Sequence, residues 1–219
     1  MPAKVIVLDI DDTLYLEREY VKSGLRAVSE WASIELGLTA FYDQVWSEFE
    51  RGHRGNLFDR ALMACNSTVS GDVLARMLAI YRSHRPSIAL LDDAVRFLAA
   101  MARENKIAIV SDGPLESQLA KVAALDLGKW ASPIILTEAY GESYRKPSSR
   151  AFQLITDHFG LDSNACCYIA DNPLKDFRGP KSLGWRTVRI RRQASLHVEM
   201  EDGPDVDTCV ESMDGLSVF

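Results

Sequence analysis

Short apolar runs and helical periodicities alternate along most of the chain. Val5-Ile6-Val7-Leu8 is a continuous apolar run bounded by polar residues, which predicts a central strand of a parallel sheet. Residues 107–110, 133–136 and 166–170 repeat the pattern. Residues 187–190 alternate with Arg and predict a strand nearer an edge, and 206–210 predict a last short strand. Between these runs, residues 92–104 place Ala94, Val95, Leu98 and Met101 on one helix face. Residues 115–125 and 148–159 do likewise, each ending near Asn or Gly, which suits a helix stop. Alternation of strand and helix predicts an α/β fold, a parallel sheet covered on both faces.

Residues 16–86 break that rhythm. They read as helix after helix: 20–36 stopping at Gly37, 41–49 near Gly52, 57–65 at Asn66, and 72–81 before Arg85-Pro86. No strand-type run lies among them. The pattern predicts a core domain from residues 1–15 and 87–219, interrupted by an all-helical insertion, a cap, at 16–86. Residues 193–204 read as a polar loop.

The 219 residues are 47% hydrophobic and 26% charged, ordinary for a globular chain and enough to bury a core without staples. Lys and Arg number 25 and Asp and Glu 31, leaving a net charge of −6. Sequence-independent nucleic-acid binding needs a basic face, so nucleic acid is not an expected partner. No apolar run reaches the roughly 18 residues that a membrane span needs. The N-terminus lacks a signal-peptide cleavage pattern. Cys65, Cys166, Cys167 and Cys209 have no metal-ligand spacing. They predict reduced thiols and a cytoplasmic protein.

Chemistry-bearing residues gather at four predicted strand ends, where open α/β sheets bind their ligands. Asp9-Ile10-Asp11-Asp12-Thr13 follows the first run. Two close carboxylates repel, so they need a cation or a shared proton. Magnesium answers the first need with hard oxygen ligands, and a shared proton makes one carboxyl a general acid or base. The alternative is a solvated acidic turn. Ser111-Asp112-Gly113-Pro114 opens a predicted helix, where a hydroxyl and free N–H groups form an anion site or merely a cap. Arg145-Lys146-Pro147 lies between a strand and a helix, and Lys146 offers a point charge to a phosphate or a carboxylate. Asp171 and Asp176 follow the run at 166–170; a strand-end carboxylate there would complete an oxygen-rich metal site with Asp9 and Asp11.

In this order and spacing the four segments resemble the motifs of the haloacid dehalogenase-like hydrolase superfamily, over nearly the whole chain. The resemblance implies a Rossmann-like core and makes the insertion similar to the helical C1 cap of one subclass. It implies that Asp9 is the nucleophile, forming an aspartyl-phosphate, and that Asp11 protonates the leaving oxygen and then activates water. Ser111, with the backbone around Asp112 and Gly113, would hold the phosphoryl oxygens, and Lys146 would offset charge on Asp9 and phosphate. Asp9, the backbone carbonyl of Asp11, and Asp171 would bind Mg²⁺, with Asp176 an outer or alternate ligand. Members that cleave carbon–halogen bonds lack an Asp at the position of Asp11, so phosphatase chemistry on a small phosphorylated metabolite is favoured. A phosphomutase and a non-catalytic binding or regulatory module are the competing readings. The expected assembly is a monomer or homodimer. One departure from the common pattern is Asp112, where Asn often precedes the Gly; its carboxylate either crowds the phosphate pocket or turns away to cap the helix.

Specificity would come from the cap. There, Arg51-Gly52-His53-Arg54-Gly55-Asn56 reads as an anion- or sugar-reading loop or as a solvated turn. Tyr15 and Tyr20, close after the first segment, are placed to touch substrate. Arg189, Arg191 and Arg192 read as a solvated basic face.

Overall fold

The computed structural model describes residues 4–68 and 70–216. In chain order the elements are β1 (Val5–Leu8), α1 (Glu17–Leu36), α2 (Phe41–Glu50), α3 (Leu57–Ala64) and α4 (Gly71–Ser83). Then come α5 (Asp92–Met101), β2 (Lys106–Ser111), α6 (Leu115–Ala124), β3 (Ile134–Leu136) and α7 (Arg150–Phe159). The chain continues through β4 (Cys166–Ala170), α8 (Arg178–Ser182), β5 (Arg186–Ile190) and β6 (Thr208–Val210). It divides into two compact units, Met1–Arg18 with Ile88–Phe219, and Glu19–Ser87.

The first unit holds one six-stranded sheet in the order β3-β2-β1-β4-β5-β6, with every pairing parallel. β1 and β4 are buried along their whole length, as their unbroken apolar runs require. Against them α7 buries Ala151, Phe152 and Ile155. The Phe152 ring meets Tyr168 edge-on at 4.8 Å and Trp185 at 5.5 Å. Strand order runs from β1 outward to β3 on one side and then returns to place β4 on the other. The carboxyl ends of β1 and β4 therefore flank the point where the chain reverses direction across the sheet, where a crevice forms.

β5 lies nearer the edge than β1 and β4, as its alternation predicted, with β6 paired outside it. One expectation is corrected: the basic run that begins in β5 is not a solvated face. Arg189 is fully buried and Arg192 nearly so, since both guanidinium groups spend their donors on backbone carbonyls and carboxylates. Arg191 is part-buried and pairs with Asp202.

In the second unit, α1 to α4 bury Leu25, Val28, Phe41, Val45, Phe58, Leu62 and Met77, one apolar face each. Tyr20 packs its ring against Tyr81 and His84 within this core. The four cysteines are free. Among the described residues no helix is long and apolar enough to cross a membrane.

Candidate active site

Three of the four strand-end segments meet on the β1–β4 side of the sheet. Asp9 follows β1 directly, and its N–H continues the ladder to Ile169 O at 3.0 Å. Asp171 follows β4. Lys146 lies in a tight turn before α7, closed by Ser148 N donating to Arg145 O at 3.0 Å. The helix starts at Arg150, two residues after its expected start at 148. Asp176 precedes α8 and closes its own loop, with its Oδ2 accepting from Asn172 N at 2.9 Å.

Lys146 sits at the centre of the cluster. Its side chain is wholly buried, and its Nζ donates to Asp9 Oδ1 at 2.8 Å and to Tyr168 OH at 3.1 Å. Asp176 Oδ1 is 2.7 Å from the same ammonium, an ion pair whose angle falls short of a hydrogen bond. One ligand oxygen each from Asp9, Asp171 and Asp176 lies within 4.8 Å of the others. Burial pushes the Asp9 carboxyl up to about 6 against the pull of Lys146, and burial likewise raises Asp171 to about 6. Lys146 is held well above its ordinary value because Asp176 and Asp9 outweigh the desolvation that opposes them. Three buried carboxylates against one ammonium leave an excess of two negative charges. An all-oxygen donor set with that excess fits a hard divalent cation.

Asp11 occupies a different set of neighbours. Lys121 Nζ reaches its two oxygens at 2.7 and 2.8 Å, Gln118 Nε2 donates to Oδ2 at 3.0 Å, and Tyr15 OH donates to Oδ1. Burial drives this carboxyl up, but Lys121, Tyr15 and Gln118 together outweigh it and hold it below its ordinary value. Asp11 contributes no carboxylate oxygen to the metal-sized cluster. Ser111, buried at the end of β2, donates to Gln118 Oε1 at 3.3 Å. Asp112 does not cap α6. It accepts from Thr137 Oγ1 at 2.6 Å and from Lys146 N at 3.1 Å, so its carboxylate ties the second segment to the third. Gly113 has φ +141°, and a Cβ there would lie 2.6 Å from Gln118 Nε2, so glycine gives that amide its room.

The segment after β5, expected only as a polar loop, folds back onto the site. Arg189 donates to Asp171 O, Met200 O, His197 O and Asp202, all between 2.6 and 3.0 Å. Arg192 donates to Thr13 O and Asp93. Leu196 N and Glu17 N donate to the two oxygens of Asp12, whose backbone is left-handed at φ 50°. His197 Nδ1 lies 2.9 Å from Asp171 Oδ2, and Asn172 Nδ2 lies 3.0 Å from His197 Nε2. That pairing fits a neutral ring with its proton on Nδ1. Burial raises Asp12 to about 6, and burial with the neighbouring Asp11 raises Glu17 to about 8.

Gln118, Lys121 and His197 lie outside the motif segments, and Asp12, inside the first of them, had no assigned role. α6 did carry a signal. It buries Ser117, Gln118 and Lys121 while leaving Leu119 54% exposed, the reverse of an ordinary amphipathic face. In the second unit, Glu48 draws in Arg51, His53 and Arg60, and Arg54 lies over the Phe49 ring at 4.2 Å. The cations of the 51–56 loop therefore have partners within their own unit.

A family model described as haloacid dehalogenase-like hydrolase matches residues 3–184. The chain is 25% identical to a glyceraldehyde 3-phosphate phosphatase of Methanocaldococcus jannaschii, over 97% of this chain and 95% of the relative. It is also 25% identical to a phosphoserine phosphatase of Thermus thermophilus, over 86% and 89%. Its fold is similar to that of the putative HAD-hydrolase YfnB from Bacillus subtilis, a structure bound to magnesium. The TM-score is 0.67 at 15% identity, covering 98% and 96% of the two chains.

Proposed function

The chain belongs to the haloacid dehalogenase-like hydrolases, and from that premise we propose that it is a magnesium-dependent phosphatase of small phosphomonoesters working through a phosphorylated Asp9. One observation carries the reading: a wholly buried Lys146 lies 2.8 Å from Asp9 and 2.7 Å from Asp176, with Asp171 completing the oxygen cluster. An anionic nucleophile approaches a phosphate dianion only where cations offset the charge. Asp9, Asp171 and the backbone carbonyl of Asp11 would hold Mg²⁺, with Asp176 beside them. The ion, when bound, supplies charge neutralisation to carboxylate and phosphate alike.

The remaining steps belong to the chain. An Asp9 oxygen attacks phosphorus, and the bond to the leaving oxygen breaks. Asp11 supplies that oxygen with a proton. Ser111 and the backbone of Asp112 and Gly113 take the phosphoryl oxygens, while Lys146 holds Asp9 in line. Water then attacks phosphorus, its proton passes to Asp11, and Asp9 is released with inorganic phosphate.

The curated relatives are named for two three-carbon phosphates, which makes short phosphorylated acids, aldehydes and sugars the first substrates to try. The test is a phosphometabolite panel with magnesium. Turnover should stop with EDTA and fall at least ~10³-fold in Asp9→Asn, the scale of losing a nucleophile. Full activity in Asp9→Asn would falsify the assignment.

A further inference from the structure

We infer that Lys121 and Gln118 of α6 are positioning residues that hold the Asp11 carboxylate ready as the base for hydrolysis of the phosphorylated enzyme. The inference rests on the phosphatase reading above and assigns a task to two side chains that the four motifs omit.

Among the described residues, the side chains hydrogen-bonded to the Asp11 oxygens are donors. Lys121 spans both oxygens at 2.7 and 2.8 Å, Gln118 Nε2 gives one bond to Oδ2, and Tyr15 OH gives one to Oδ1. Such a shell fixes where the two oxygens lie once Asp11 has given its proton to the leaving oxygen and stands as the accepting carboxylate. The accepting form is the one that takes a proton from water. An ammonium spanning both oxygens can close on one of them and leave the other to receive that proton, keeping a hydrogen bond to Asp11 after its charge is neutralised.

Burial of Lys121 and Gln118, at 3% and 2% exposure, is costly for a helix that leaves Leu119 on the outside. Fold alone would be served by the opposite arrangement. Gln118 is itself fixed, donating to Asp112 O at 3.0 Å and accepting from Ser111 Oγ at 3.3 Å, in space that Gly113 leaves open. The same amide thus ties the base to the hydroxyl expected to hold the phosphoryl group. In the step concerned, the water oxygen bonds to phosphorus, the bond from phosphorus to the Asp9 oxygen breaks, and the water proton goes to Asp11.

The experiment compares wild type, Lys121→Met and Lys121→Arg on p-nitrophenyl phosphate, whose leaving group needs no protonation. For Lys121→Met the burst of p-nitrophenolate should persist while kcat falls ~10- to 100-fold, part of what a general base contributes. KM should fall in proportion, so that kcat/KM holds, and acid-quenched protein should carry more phosphoryl adduct by intact mass. Lys121→Arg should recover most of kcat. If Lys121→Met does not fold, Gln118→Met should show the same pattern at a few-fold scale. A loss of kcat and kcat/KM together without adduct, or no change at all, overturns the inference. Wild-type protein that turns over no phosphomonoester overturns the phosphatase reading first, and this one with it.

Discussion

Lys146 shows how one side chain can hold a site together. Its ammonium is the only positive charge among the side chains contacting Asp9 and Asp176 in the described structure, and its stem has no access to water. Removing one partner of a buried ion pair leaves an uncompensated charge, which costs about 3–5 kcal/mol. Lys146→Met should lose stability on that scale in chelator, read from denaturant unfolding, and less with magnesium present. An equal loss in both conditions would detach Lys146 from the metal-sized cluster. Residues of this kind were legible in the sequence, because Asp9, Ser111 and Asp171 each stand at the end of an apolar run and Lys146 lies between a strand and a helix. Tyr15, Gln118, Lys121 and His197 were not assigned these partners. Gln118 and Lys121 meet Asp11 across more than a hundred residues, and His197 meets Asp171 from a loop without periodicity. Hydrophobic pattern reports which face is buried, not which polar groups converge on it.

At the scale of elements, strand ends deliver the carboxylates, and the segment after β5 keeps them in place. Arg189 ties Asp171 O to the 197–202 loop, and Arg192 ties Thr13 O to Asp93, which also accepts from Met213 N. Arg189→Met should therefore cost about 3 kcal/mol or more, the price of stranding buried carbonyls and Asp202. Limited proteolysis should open residues 193–204 in that variant before the rest of the chain. Uniform cleavage, or none, would count against a strap. All six strands were foreseen within a residue or two, because short apolar runs bounded by polar residues leave little choice of register. The strap was misread because three arginines in four residues look solvated until their carbonyl partners are known.

For the whole molecule, the buried acids set the response to pH. Burial lifts Asp9, Asp12 and Asp171 from 3.8 to about 6, and burial with Asp11 lifts Glu17 from 4.5 to about 8. Between about pH 4 and 8 the native protein thus binds more protons than the unfolded chain, so stability falls as pH rises. His197, raised by its bond to Asp171, acts in the same direction: its contribution is full below 6.5 and lost as pH climbs through its native value. Asp11 and Asp93, both lowered, act oppositely, but only as pH drops below about 4. In chelator Tm should be higher at pH 5 than at pH 8, and magnesium at pH 8 should recover part of the difference. A flat profile, or one rising toward pH 8, would contradict the buried-carboxylate account. The measurement closest to its centre is chemical trapping. Protein quenched during turnover is reduced with borohydride, which converts a phosphorylated aspartate to homoserine, and then mapped by peptide mass. The account predicts homoserine at position 9, lost when magnesium is chelated; turnover with the modification at another residue would contradict it.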